Sequence, residues 1–129
     1  MPKKTKTLAK LKQEAQKIFN QYIRARDKGQ PCISCGQHKP LQAGHYFAVS
    51  THDGLRFDED NVHGECAYCN CFNESHLIMY GTYLQAKIGT SRYFNLKDRA
   101  AIYKRDGYRF TRAEVQSIVD RYKAKIKTL

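Results

Sequence analysis

The chain has 129 residues, 41% of them hydrophobic and none of them tryptophan, with 23 Lys/Arg against 12 Asp/Glu for a formal charge of +11. That length suits one domain with a modest core, small enough to profit from a metal staple. The charge is foreign to most metabolic enzymes and points to a polyanionic partner, nucleic acid first.

Met1 to Lys6 reads as a loose basic tail. From Thr7 to Lys28, Leu8, Leu11, Ala15, Ile18, Phe19, Tyr22 and Ile23 recur at helical spacing, and Gly29 and Pro31 end the element. Its polar face carries Lys10, Lys12, Lys17, Arg24 and Arg26. Leu41 to Val49 alternates like a strand, with Leu41, Ala43, His45, Phe47 and Val49 on one face. His52-Asp53-Gly54 signals a turn, and a second strand is expected around Arg56–Glu65. Helical periodicity returns through Leu77, Tyr80, Leu84 and Ile88 and stops at Gly89. Two more helices are expected: Asn95-Leu96-Lys97-Asp98 offers a cap for one. Thr111-Arg112-Ala113-Glu114 is a capping box for the last, which buries Val115, Ile118, Val119, Tyr122 and Ile126. Arg112, Arg121, Lys123, Lys125 and Lys127 keep that last helix basic.

Two C-x-x-C knuckles, Cys32–Cys35 and Cys66–Cys69, stand thirty residues apart, which matches a tetrahedral four-cysteine zinc site. Gly36 follows the first pair, where a knuckle turn often needs a residue without a Cβ. The alternative is disulfides or buried thiols. With no secretory signal and no apolar run long enough to span a bilayer, a cytoplasmic setting without a membrane partner is expected, and oxidised pairs are not. Four thiolates fill the site, so the zinc is expected to be structural, and Cys71 reads as a spare thiol.

Charge is distributed in three blocks: +7 over residues 1–31, −3 over residues 32–70 and +7 over residues 71–129. An acidic, histidine-containing centre between basic arms suggests a divalent-metal site served by phosphate-binding flanks, with a solvated acidic loop as the plainer reading.

Knuckle, hairpin, knuckle and helix describe a treble-clef zinc fold, and this order resembles the ββα-metal core of HNH nucleases. The resemblance implies that His45 on the first strand is the general base. It gives Asn61 on the second strand the task of steadying hairpin and histidine ring, and makes Asn70, directly after Cys69, a ligand of a catalytic Mg²⁺ or Mn²⁺. Such chemistry suits phosphodiester hydrolysis. The stretches Phe19–Asp27, Cys32–Gly36, Ala43–Tyr46, Leu55–His63, Cys66–Asn70 and the Phe110 to Lys127 helix resemble the phage lambda NinG (Rap) family of recombination nucleases. Knuckle spacing and Asn70 are also similar to the phage endonuclease VII junction resolvases.

These resemblances imply an α+β fold: a treble clef with an HNH-like core, flanked by basic N- and C-terminal helices. One domain is expected over residues 1–129, divided as 1–31, 32–89 and 90–129. They also imply an endonuclease for branched or double-stranded DNA, such as Holliday junctions and D-loops. Resolving a junction takes two cuts, so a homodimer is expected. Lys10, Lys12, Lys17, Arg24, Arg26, Arg56, Arg112, Arg121, Lys123 and Lys125 are the expected DNA contacts.

Two departures matter. Gly44 stands where many HNH proteins carry a metal ligand, so the second ligand must come from elsewhere: His63 first, then Asp58, Asp60, Asn73 and His76. For His63 a supporting role behind the ligands, or a contact to DNA, is an equal alternative. Glu65 stands where the family is expected to favour glutamine, and a negative charge there could weaken phosphate contact. An HNH nuclease of another type and a non-catalytic zinc-containing DNA-binding protein are the competing readings.

Overall fold

The computed structural model describes residues 5–73 and 75–129. Most of the expected basic tail, residues 1–4, lies outside them, while Lys6 pairs with Glu14. The elements run α1 Leu8–Arg26, β1 Leu41–His45, β2 Val62–Cys66, α2 Ala67–Cys71, α3 His76–Ile88, α4 Thr90–Asp106 and α5 Arg112–Lys127. A single 3-10 turn, Asp53–Leu55, interrupts the loop between the strands. The result is a mixed α+β architecture around one small antiparallel hairpin.

Helix α1 starts where Thr7 Oγ1 accepts from the Lys10 amide, and Gly29, at φ +85°, turns the chain away after its end. Helix α5 opens with the reciprocal Thr111–Glu114 capping box. The two basic helices pack on each other through Leu11, Phe19, Tyr22, Val115, Val119 and Tyr122, and this cluster extends to Val62 of β2 and Phe57. A second cluster joins Tyr80 and Leu84 of α3 to Leu96 and Ala100 of α4, with Leu55 and Ile33. The hairpin lies between these two cores.

The strands are shorter than the alternation suggests. Asn61 accepts from the Phe47 amide and donates to the Phe47 carbonyl, taking the backbone groups a longer strand would pair. Residues 53–60 form tight turns, with the Arg56 amide on the Asp53 carbonyl and the Asp60 amide on the Asp58 carboxylate, as an Asp- and Gly-rich segment favours. The expected cap at Asn95 is replaced by Gly89 (φ +90°), which ends α3 and leads directly into α4, so Asn95–Asp98 sit inside a helix. Helix α3 buries Tyr80, Gly81 and Leu84, whereas Leu77, in the same periodic pattern, is 44% exposed.

Candidate metal centre and hairpin site

The knuckle turns bring Cys32, Cys35, Cys66 and Cys69 together with all four Sγ atoms within 4.8 Å of one another. Gly36, at φ +72°, makes the first turn, and its amide donates to the Cys32 carbonyl at 2.9 Å. The Cys35 and Cys66 sulfurs are 3.9 Å apart, too far for a disulfide. That spacing is close to the roughly 3.8 Å edge of a tetrahedron with Zn–S bonds of about 2.3 Å. Burial, reinforced by the neighbouring thiols, pushes the Cys69 thiol up, so thiolates held this close need a cation among them. The donor set therefore fits zinc. Cys71 is exposed and outside the cluster.

Strand register pairs Gln42 with Glu65, Gly44 with His63 and His45 with Val62. Alternation then puts His45 on the α1 side with Ala43 and Val62, and puts Gln42, His63 and Glu65 on the other face. His45 Nε2 lies 3.1 Å from the Arg56 carbonyl. A carbonyl only accepts, so Nε2 carries the proton and Nδ1 keeps its lone pair. Burial holds the His45 pKa below the ordinary imidazole value, which keeps the ring neutral at pH 7.

Asn61 is fully buried and just precedes β2. Besides Phe47, it donates to the Leu55 carbonyl at 3.1 Å. It therefore pins the loop that presents the Arg56 carbonyl, and its bonds go to this backbone instead of the His45 ring.

His63 is 2% exposed, and both of its nitrogens are engaged. Arg26 Nη2 donates to Nδ1 at 3.1 Å, and Nε2 donates to the Asp60 carbonyl at 3.0 Å. Burial, with Lys87 and Arg26 nearby, brings its pKa down to about 3. In this arrangement neither ring nitrogen is free for an ion, and the ring sits among Arg26, Lys87 and the Asp27 carboxylate, 4.0 Å from Nδ1. Asn70 donates from Nδ2 to Gln42 Oε1 at 2.9 Å, leaving its amide oxygen as the atom for a metal. Gln42 belongs to the face opposite His45, so base candidate and ligand candidate stand on different sides of the hairpin.

Glu65 is the side chain that sequence reasoning misplaced. It is fully buried, so it presents no charge to a phosphate at the surface. Its Oε2 meets His76 Nδ1 at 2.7 Å and accepts from the Ser34 hydroxyl, while Oε1 has no hydrogen-bond partner. A buried oxygen left unpaired costs roughly 1–3 kcal/mol.

The chain matches the bacteriophage lambda NinG protein family over residues 2–129. It is 36% identical over 118 residues to protein ninG of Salmonella phage P22, covering 90% of this chain and 56% of that protein. Against protein ninG of Escherichia phage lambda the identity is 34% over 118 residues, covering 90% and 55%. The chain belongs to the NinG family. It spans about half the length of these curated relatives. No solved structure matches it.

The basic side chains of this chain are divided between surface and interior. Lys10, Lys17, Arg24, Arg112, Arg121 and Lys123 are exposed. The other expected DNA contacts are engaged internally. Lys12 and Arg56 pair with Asp53 at 2.9 and 3.0 Å, Lys125 pairs with Glu59 at 2.8 Å, and Arg26 holds Asp27 at 2.9 Å. Arg99 and Arg92 of α4 add to this by pairing with Asp58 and Asp60. The acidic centre thus serves largely as counter-charge for the flanks. A charge count does not reveal pairing of this kind, because it depends on which helices cover the loop. Among the described residues no helix is long and apolar enough to cross a membrane.

Proposed function

We propose that this chain is a metal-dependent, structure-specific endonuclease that cleaves branched DNA in phage recombination. The observation that carries the reading is His45. It is neutral, held in one tautomer by the Arg56 carbonyl, and set on a hairpin pinned by a four-cysteine cluster in a NinG-family chain. Its Nδ1 is the atom that would take a proton from the attacking water. Asn61 positions His45 at one remove, by fixing the loop that carries the Arg56 carbonyl. Asn70 would hold a divalent ion through its amide oxygen, and a bound Mg²⁺ or Mn²⁺ supplies neutralisation of charge on the phosphate and leaving oxygen. The exposed lysines and arginines of α1 and α5 suit backbone contacts and recognition by shape.

A second reading is a zinc-containing DNA-binding protein without catalysis. The placement of His45 and Asn70 on opposite faces of the hairpin favours it. Incubation of a labelled four-way junction beside linear duplex, with and without Mg²⁺ or Mn²⁺, separates the two. Junction cleavage that needs the ion and disappears in His45→Ala supports the nuclease. Binding without cleavage in the parent protein supports the second reading.

A further inference from the structure

We infer that Glu65, His76 and Ser34 form a divalent-cation site, separate from the four-cysteine cluster and on the opposite hairpin face from His45. The first observation is the orphan oxygen. Glu65 is fully buried, yet its Oε1 has no partner, in a fold that otherwise pairs its buried side-chain polar atoms among the described residues. The second is the space made for it. A Cβ on Gly44 would overlap Glu65 Oε1, so the carboxylate occupies the volume that any side chain at position 44 would need. The absent side chain and the buried carboxylate are complementary across the hairpin.

Geometry supplies the third observation. Glu65 Oε2 and His76 Nδ1 are 2.7 Å apart, with the Ser34 hydroxyl against the same oxygen. Neighbouring donors on an octahedral ion at about 2.1 Å lie roughly 3 Å apart, so these atoms need little movement to share one. Without the ion, a hydrogen bond joins Oε2 and Nδ1; with it, the ring adopts the tautomer protonated at Nε2 and Nδ1 turns its lone pair to the metal. His76 opens α3 and its side chain is 18% exposed, which gives the ion a way in. Gln42, the cross-strand partner of Glu65, holds Asn70 on this same face. Carboxylate and hydroxyl oxygens with one imidazole nitrogen favour Mn²⁺ over Mg²⁺, because Mg²⁺ prefers all-oxygen surroundings.

This inference stands independently of DNA cleavage, and its test uses none. Zinc-loaded protein is titrated with MnCl₂ while free Mn²⁺ is followed by electron paramagnetic resonance, with zinc content measured on the same samples. The expected result is one Mn²⁺ per chain at this site, counted in an Asn70→Ala background so that an ion on Asn70 does not add to it. Glu65→Gln, which keeps the shape and removes the charge, and His76→Ala should each weaken binding at least tenfold with zinc retained. Should Glu65→Gln fail to fold, His76→Ala, a partly exposed position at a helix start, decides alone. No Mn²⁺ bound by the parent at millimolar concentration, or parental binding in His76→Ala, overturns the proposal and leaves Glu65–His76 as a hydrogen-bonded pair.

Discussion

The two faces of the hairpin are built from similar residues to different ends. On the α1 side, His45 is enclosed by Gln16, the Arg56 backbone and an apolar cluster of two long helices, and its Nε2 has a partner. On the α3 side, Glu65 is buried more completely but keeps one oxygen unpaired, beneath a helix that leaves Leu77, Ile78 and Met79 exposed. His45 has one ring nitrogen paired and the other open, and Glu65 has one carboxylate oxygen paired and the other unmet. Burial alone therefore does not separate a structural polar group from a functional one. What separates them is whether each donor and acceptor has been answered.

Breaking both faces at once should have the largest effect. The knuckles tie β1, β2 and α2 together, and a structural zinc contributes on the order of 10 kcal/mol to folding. Cys66→Ser is expected to lose zinc and unfold or aggregate, read by circular dichroism and metal analysis. A folded, zinc-free Cys66→Ser protein would show that the hairpin stands without its staple.

The next test addresses the α1 face alone. His45→Ala should retain zinc, fold and junction binding but lose at least ~10²-fold in cleavage, the usual scale for removing a general base. Asn61→Ala should lower the rate with less change in metal demand, since it acts through the loop. Junction cleavage by His45→Ala at the parent rate would assign this histidine to packing.

On the α3 face, His63 gives a pH signature. Its folded pKa is depressed to about 3, so its contribution is complete above the ordinary imidazole value and is lost as pH falls from there toward 3. Between about pH 6.5 and 5.5 the parent should lose about 1 kcal/mol, and His63→Gln should lose less. Denaturant unfolding at both pH values, with zinc content checked, gives the answer. Equal slopes in the two proteins would remove His63 as the source.

Legibility in the sequence followed the range of the interactions. The knuckles, the amphipathic α1 and the Thr111 capping box are local patterns, and they form where the spacing puts them. Alternation overstates the strand lengths because one distant asparagine takes the Phe47 backbone groups. Apart from the Asp60 carbonyl, the partners of His63 and Glu65 come from α1, the first knuckle and α3, which local pattern does not connect to them. Gly44 reads in the sequence as a missing ligand. What fills its place is visible only in three dimensions, where Glu65, one strand over, occupies that volume.

The smallest effect separates two lysines on α5 that a charge count treats alike. Lys123 is exposed, whereas Lys125 bonds Glu59 at 2.8 Å and lies over the Tyr22 and Tyr122 rings at 5.4 and 5.3 Å. If the exposed charges meet DNA phosphates, Lys123→Glu should weaken binding to all sequences evenly and reduce the salt slope by about one, with stability unchanged. Lys125→Glu would place two carboxylates side by side, lose the cation–π contacts and cost roughly 1 kcal/mol or less in stability, because the site is half-open to water. Thermal unfolding and salt-dependent binding of the two variants decide between surface and interior use. Identical behaviour would mean that the Lys125–Glu59 pair contributes nothing in solution and that both lysines belong to the DNA-facing surface.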